Sequence, residues 1–283
     1  MIQICIVGVG LIGGSLGQAL RRVKKNGRRT YNVLGLGRSA QRLALARRRG
    51  ALDQFSTNPS QILPQADIIL MATPVQTMTG FIRKNLSNLK RGAIITDVGS
   101  VKGKISIEMK KALHSRRDIS FIGAHPLAGS EKTGIKNARP NLFQGAVCVL
   151  AKDAGPAKAR SAILSLWKAV GSKPILISSK KHDQALALTS HLPHLMAFAL
   201  FDEMRRQSVK VRSMPSLTAG SFADATRVAA SDPQVWAGIL DMNRIEIENA
   251  LGKLIARMKS LLSKKRNALL SNLSDISLAK KKW

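Results

Sequence analysis

Ile4-Cys5-Ile6-Val7-Gly8-Val9-Gly10-Leu11-Ile12-Gly13 is the stretch on which the fold turns. Its apolar opening shows no polar alternation and reads as a strand covered on both faces. A helix-capable segment begins where the glycines end. The three glycines then serve different ends. Gly8 makes the tight turn, Gly10 lets backbone approach a pyrophosphate, and Gly13 lets helix and strand pack closely. The pyrophosphate would rest on the free N–H groups at the helix start, around Leu11 and Ile12. A GxGxxG alone is a weak signal and also fits a glycine-rich turn with no ligand. A strand before it, a helix after it and a place at the start of the chain favour dinucleotide binding.

Outward from this loop, short apolar runs alternate with helical patterns as far as Ser178, the signature of βαβ units and a parallel sheet. Expected strands are Ile2–Val7, Val33–Leu36, Asp67–Thr73, Ala93–Val98, Ser120–Ala124, Ala146–Ala151 and Pro174–Ile177. Beyond Ser178 the strand signal disappears, and His182–Ser208, Ser216–Ala230 and Pro233–Leu262 carry apolar residues at helical spacing. The fold class is α/β: a Rossmann-type dinucleotide-binding domain over 1–178, then an all-helical domain over 179–283. The basic tail after Ser263 is expected to fray.

Composition bounds the partners. The chain has 283 residues, 46 Lys+Arg against 16 Asp+Glu, and a formal charge of +30. With hydrophobic residues at 45%, it has ample material for a core. Cys5 and Cys148 are its only cysteines, which excludes a disulfide scaffold and a cysteine-based zinc cluster. No apolar run approaches the roughly 20 residues of a membrane span. No basic and apolar leader precedes the first strand, so a cytoplasmic location is expected. The charge by itself suggests a polyanionic partner. Nucleic acid is nevertheless not the expected one, because the few aromatics form no stacking stripe.

The tip of the second strand distinguishes NAD from NADP. An acid there would bind the ribose 2′-hydroxyl, yet the first acidic residue in the chain is Asp53. Gly37 stands in its place, followed by Arg38 and Ser39, with Arg42 about one turn on. A guanidinium and a hydroxyl suit a 2′-phosphate, so NADP is expected over NAD. The plainer reading makes Ser39 an N-cap and Arg38 a solvated side chain.

Further segments sit where an open α/β sheet binds ligands, at the carboxyl ends of strands. Thr73-Pro74 would line the cofactor cleft, and Asp97 would order the loop that comes after it. His125, in Gly123-Ala124-His125-Pro126, reads as a loop residue able to face the nicotinamide, a better catalytic candidate than most lone histidines. His191 and His194 share one helix face, where packing and substrate contact are equally open. No metal site is expected, because no carboxylate or cysteine completes a ligand set.

Taken together the motifs resemble the prephenate/arogenate dehydrogenases of tyrosine biosynthesis. The matching pieces are GVGLIGGSLG at 8–17, ATPV at 72–75, DVGSVK at 97–102, GAHPLAGSEKTG at 123–134, SHLPH at 190–194 and TRVAASDPQVW at 226–236. The resemblance implies a homodimer held through the helical domain, with the active site between the domains. It implies that His125 is the catalytic histidine on the substrate's ring hydroxyl, and that Ser100 helps to orient it. It likewise makes Arg227 the substrate-carboxylate arginine and His194 a pocket histidine. Glu131, Asp183 and Trp236 become organisers of the pocket. The expected reaction is oxidative decarboxylation of a cyclohexadienol dicarboxylate, with a His125 ionisation near the ordinary value of about 6.5. Two alternatives stay open: a β-hydroxyacid-type Rossmann dehydrogenase, and a non-enzymatic basic protein that binds nucleotides or nucleic acid.

Overall fold

The computed structural model describes residues 1–129 and 133–283. Strands β1 (Ile2–Val7), β2 (Tyr31–Leu36), β3 (Gln54–Ser56), β4 (Ile68–Met71), β5 (Ile94–Asp97) and β6 (Ser120–Ile122) form one sheet of six, in the order β3-β2-β1-β4-β5-β6. All five pairings are parallel. The order reverses beside β1, which makes the carboxyl end of β1 the switch point where such sheets bind ligands. Helices α1 (Leu11–Arg22), α2 (Ala40–Arg48), α3 (Val75–Lys84) and α4 (Gly103–Ala112) cross between the strands. The core lies in two clusters, one built on Ile4, Ile6, Leu16 and Leu20, the other on Cys5, Val7, Met78 and Ile105. Successive residues of β1 thus feed opposite faces, which is why its sequence is apolar throughout.

The expected run Ser120–Ala124 does not form one strand. It breaks at Gly123, and β7 (Ala124–Pro126) starts a second sheet with β8 (Val147–Ala151) and β9 (Lys173–Ile177), in the order β9-β8-β7. β7 pairs antiparallel with β8, placing His125 opposite Val149. His125 therefore lies within a strand, not in the loop expected from sequence. The reason is polar: the Ala124 amide donates to Asp97 Oδ1 at 3.0 Å, ending its run beside β5. A side chain at Gly123 would stand 3.1 Å from Lys102 Cδ, so glycine leaves room for that buried lysine.

Past β9, helix α5 (Ala157–Ala169) having covered the second sheet, the chain is helical. It runs through α6 (Ser179–Leu186), α7 (Leu192–Gln207), α8 (Gly220–Thr226), α9 (Pro233–Met242), α10 (Arg244–Leu262) and α11 (Arg266–Lys281). Between α6 and α7, Ala187–His191 forms a π turn; such turns insert a residue into a helix and re-aim the next turn, often at functional sites. The tail expected to fray is helix α11, whose Leu270, Leu273 and Ile276 are exposed. α9 docks the helical half onto the sheet domain: Gln76 Nε2 donates to the Gln234 carbonyl at 3.2 Å, while Ile239 and Met242 enter the core. No helix among the described residues is long and apolar enough to cross a membrane.

Candidate active site

The glycine loop fits a pyrophosphate. Gly8 has φ +94°, and a Cβ there would stand 2.6 Å from the Ala72 carbonyl oxygen. One at Gly13 would stand 2.2 Å from the Gly8 carbonyl. At Gly10 a Cβ would meet no protein atom within 4 Å, so backbone and α1 amides are open to a ligand just there. The Leu11, Ile12 and Gly13 amides begin α1 and have no partner inside the helix. Thr73 packs its methyl toward Gly8 and accepts a bond from Thr77 Oγ1 at 3.2 Å, and Pro74 caps α3 beside it.

At the tip of β2, Ser39 caps α2, accepting from the Arg42 amide at 3.3 Å. Arg38 and Arg42 are both exposed. The first acid of the chain faces elsewhere: Asp53 is clamped by Arg21 at 2.9 Å, Arg29 at 2.6 Å and the Val33 amide at 2.8 Å. Those partners hold its carboxyl below the usual range despite burial. No carboxylate therefore occupies the ribose end of the loop among the described residues.

The chemistry-bearing side chains gather where β5, β7 and α6 meet. Asp97, at the end of β5, accepts from the Gly99 amide at 2.9 Å and pairs with Lys102 Nζ; both side chains are fully buried. His125 Nδ1 lies 2.8 Å from His182 Nε2. His182 Nδ1 lies 2.7 Å from Asp183 Oδ1. Asp183 crosses the domain boundary to cap α4, accepting from the Lys102 amide at 2.8 Å and the Gly103 amide at 2.7 Å. A carboxylate suits that helix N-terminus. Burial, with His182 and Lys102 alongside, holds the His125 ionisation well below the ordinary histidine value. This corrects the expectation of an unshifted histidine.

The helical half closes the other wall. His191, fully buried at the end of the π turn, takes a bond at Nδ1 from Asn243 Nδ2 at 2.9 Å, and the same amide nitrogen donates to the Asp183 carbonyl at 2.9 Å. Its Nε2 completes no hydrogen bond, although the Ser100 carbonyl lies close enough to favour the protonated ring. Burial dominates and pushes His191 down to about 4. His194 stacks on Trp236 at 3.6 Å between ring centres. Burial also lowers His194, and the nearby Arg227 charge adds to this. Ser100 is half-buried and Arg227 is exposed at the start of the turn after α8. Glu131 lies outside the described residues.

Hydrogen bonds, ring contacts and neighbouring charges thus link His125, Asp183, His191, His194, Trp236, Ser100 and Arg227 in one cluster drawn from separate elements of both halves. Sequence reasoning assigned no site role to His182 or to Asn243. His182 meets His125 57 positions away, and the adjacent Asp183 is the one local mark it carries.

A model of the prephenate dehydrogenase nucleotide-binding domain matches residues 17–176, starting within α1 after the glycine loop. A model of the prephenate dehydrogenase dimerization domain matches residues 178–274. The chain belongs to the prephenate dehydrogenase family. Among the relatives of this prephenate dehydrogenase-family chain, the cyclohexadienyl dehydrogenase of Zymomonas mobilis is 33% identical over 98% of this chain and 91% of its own length. The prephenate dehydrogenase of Lactococcus lactis is 32% identical over 86% of this chain, which spans only 65% of that relative's length. Among solved structures, prephenate dehydrogenase from A. aeolicus in complex with hydroxyphenyl propionate and NAD+ superposes with a TM-score of 0.88 at 30% identity. That match covers 100% of this chain and 98% of the other.

Proposed function

We propose that the chain oxidises and decarboxylates prephenate or arogenate, giving 4-hydroxyphenylpyruvate or tyrosine, and that it uses NADP in preference to NAD. The observation that carries the reaction is His125: a buried imidazole held neutral beside the glycine loop's sheet and joined at Nδ1 to His182. Residues 1–178 would hold the cofactor and 179–283 would cover the substrate. The nicotinamide, when bound, supplies the two-electron acceptor. His125 takes the ring hydroxyl proton, which it can do only while neutral. Arg227 holds a substrate carboxylate, and the Trp236–His194 stack forms a flat wall that fixes the ring. Ser100 aligns His125 with the cofactor. Mixing the protein with either substrate and either cofactor tests the reading through the near-ultraviolet absorbance of reduced cofactor; silence in all four mixtures would sink it.

NADP preference is supported by the β2 tip, where Arg38, Arg42 and the start of α2 face outward with no acid among them. A charge-assisted contact to the 2′-phosphate is worth about 2 kcal/mol. Arg38→Ala is therefore expected to raise KM for NADP roughly tenfold or more while leaving KM for NAD unchanged. An equal rise for both cofactors would remove Arg38 from this role.

A homodimer through the helical half is supported by the apolar side chains left exposed on α7, α10 and α11, among them Phe201 at 44%, Met258 at 49% and Leu270 at 64%. Light scattering is expected to give twice the chain mass, and Leu270→Asp with Leu273→Asp to shift it toward the monomer. A monomeric wild-type protein at micromolar concentration would contradict the dimer.

A further inference from the structure

We propose that His182 and Asp183 are positioning residues that fix the tautomer of His125, leaving Nε2 as its bare, proton-accepting nitrogen. The inference rests on the dehydrogenase reading above for its chemistry, but its geometry stands alone. Asp183 receives two backbone N–H bonds at the start of α4, so it is an ionised acceptor. His182 Nδ1, 2.7 Å from that carboxylate, must then carry a hydrogen. In the neutral His182 ring, Nε2 is left with a lone pair. His125 Nδ1 lies 2.8 Å from it and must donate, because the other tautomer would set two lone pairs against each other. Only Nε2 of His125 remains to accept.

The same chain governs what happens once His125 is charged. The groups around it are His182 and Asp183 from α6, Lys102 and Asp97 from the β5–α4 junction, and His191 from the π turn. Lys102 and Asp97 neutralise each other, so Asp183 is the carboxylate left to balance an imidazolium, transmitted through His182. A carboxylate behind a histidine serves in this way, holding the tautomer and stabilising the charged ring without itself being protonated.

The balance of the reaction shows why the charge has to be held. The hydroxyl O–H bond breaks and its proton goes to His125 Nε2. The carbinol C–H pair leaves as hydride for the oxidised cofactor, and the carbinol carbon becomes a carbonyl. The bond to the para carboxylate then breaks, carbon dioxide departs, and the electron pair flows through the ring to that same oxygen. The phenolate so formed takes the proton back from His125. No proton is released, so His125 needs no path to bulk water, in keeping with its 8% exposure.

The tautomer is read directly from long-range nitrogen–proton spectra of histidine-labelled protein without substrate. His125 is expected to show a protonated Nδ1 and a bare Nε2 in the wild type. In His182→Leu the bare nitrogen moves to Nδ1, and kcat drops about 100-fold with little change in KM. His182→Gln, whose side-chain oxygen can still accept from Nδ1, recovers most of both. A protonated Nε2 in the wild type overturns the inference, whatever the variants do and even if His182→Leu fails to fold. An unchanged tautomer and unchanged kcat in a folded His182→Leu also overturn it. Absence of turnover by the wild type with every substrate and cofactor counts against the dehydrogenase reading alone, since the spectrum still decides the tautomer.

Discussion

His125→Asn is expected to lower kcat by about three orders of magnitude at saturating substrate and to leave cofactor binding unchanged. Asparagine keeps a polar group of similar reach on β7, so the pairing with Val149 and the bond toward His182 survive in outline. The substitution removes a nitrogen that can take a proton. The glycine loop stands on different elements, so dinucleotide affinity should not move. The wild-type pH profile checks the same role from another side. The base works only when neutral, and burial beside His182 and Lys102 depresses its ionisation. Activity should therefore hold steady as pH falls through the ordinary histidine value of about 6.5, and decline only at a distinctly lower pH. The variant should lose that acidic limb. Near-normal turnover by His125→Asn would remove the residue from the chemistry, and a limb centred at the ordinary value would show that the site is wetter than its geometry implies.

Lys102→Met should cost the fold dearly. The Lys102–Asp97 pair has no exposed side-chain surface on either partner. Removing one member of such a pair strands a buried charge and typically costs about 3–5 kcal/mol. Asp97 would keep the Gly99 and Ala124 amides but lose its paired cation. For a chain of this size the expected fall in Tm is on the order of 10 °C. Lys104→Met is the matched control, since its partner Asp241 lies in solvent and the pair is 46% and 59% exposed. Its Tm should hardly change. Equal effects from the two substitutions would mean that water reaches the buried pair.

The fold was legible because its signal is local. The glycine loop, the uniformly apolar strands and the loss of strand pattern after Ser178 all stem from short-range residue types. The site was legible only in part. His125, Arg227 and Trp236 sit in motifs with distinctive neighbours, but the sequence reads His125 as a loop residue because a run such as Ser120–Ala124 carries no mark of the break at Gly123. That break depends on Asp97 taking the Ala124 amide and on Lys102 needing room, contacts made across the sheet. Asn243 ends α9 and looks like an ordinary cap; its two hydrogen bonds to the site reach elements 60 and 52 residues earlier. The tail failed for a different reason. Its basic composition points to fraying, whereas Leu270, Leu273 and Ile276 recur at helical spacing along α11.

The carboxylate of Asp183 also works as a mechanical pin. It belongs to the helical half, yet both its oxygens are bonded to the first amides of α4 in the sheet domain. Separating the halves at this point would bare a helix end and a buried charge together. A second tie comes from α9, where the Gln76–Gln234 bond and the buried Ile239 and Met242 hold the same two halves together.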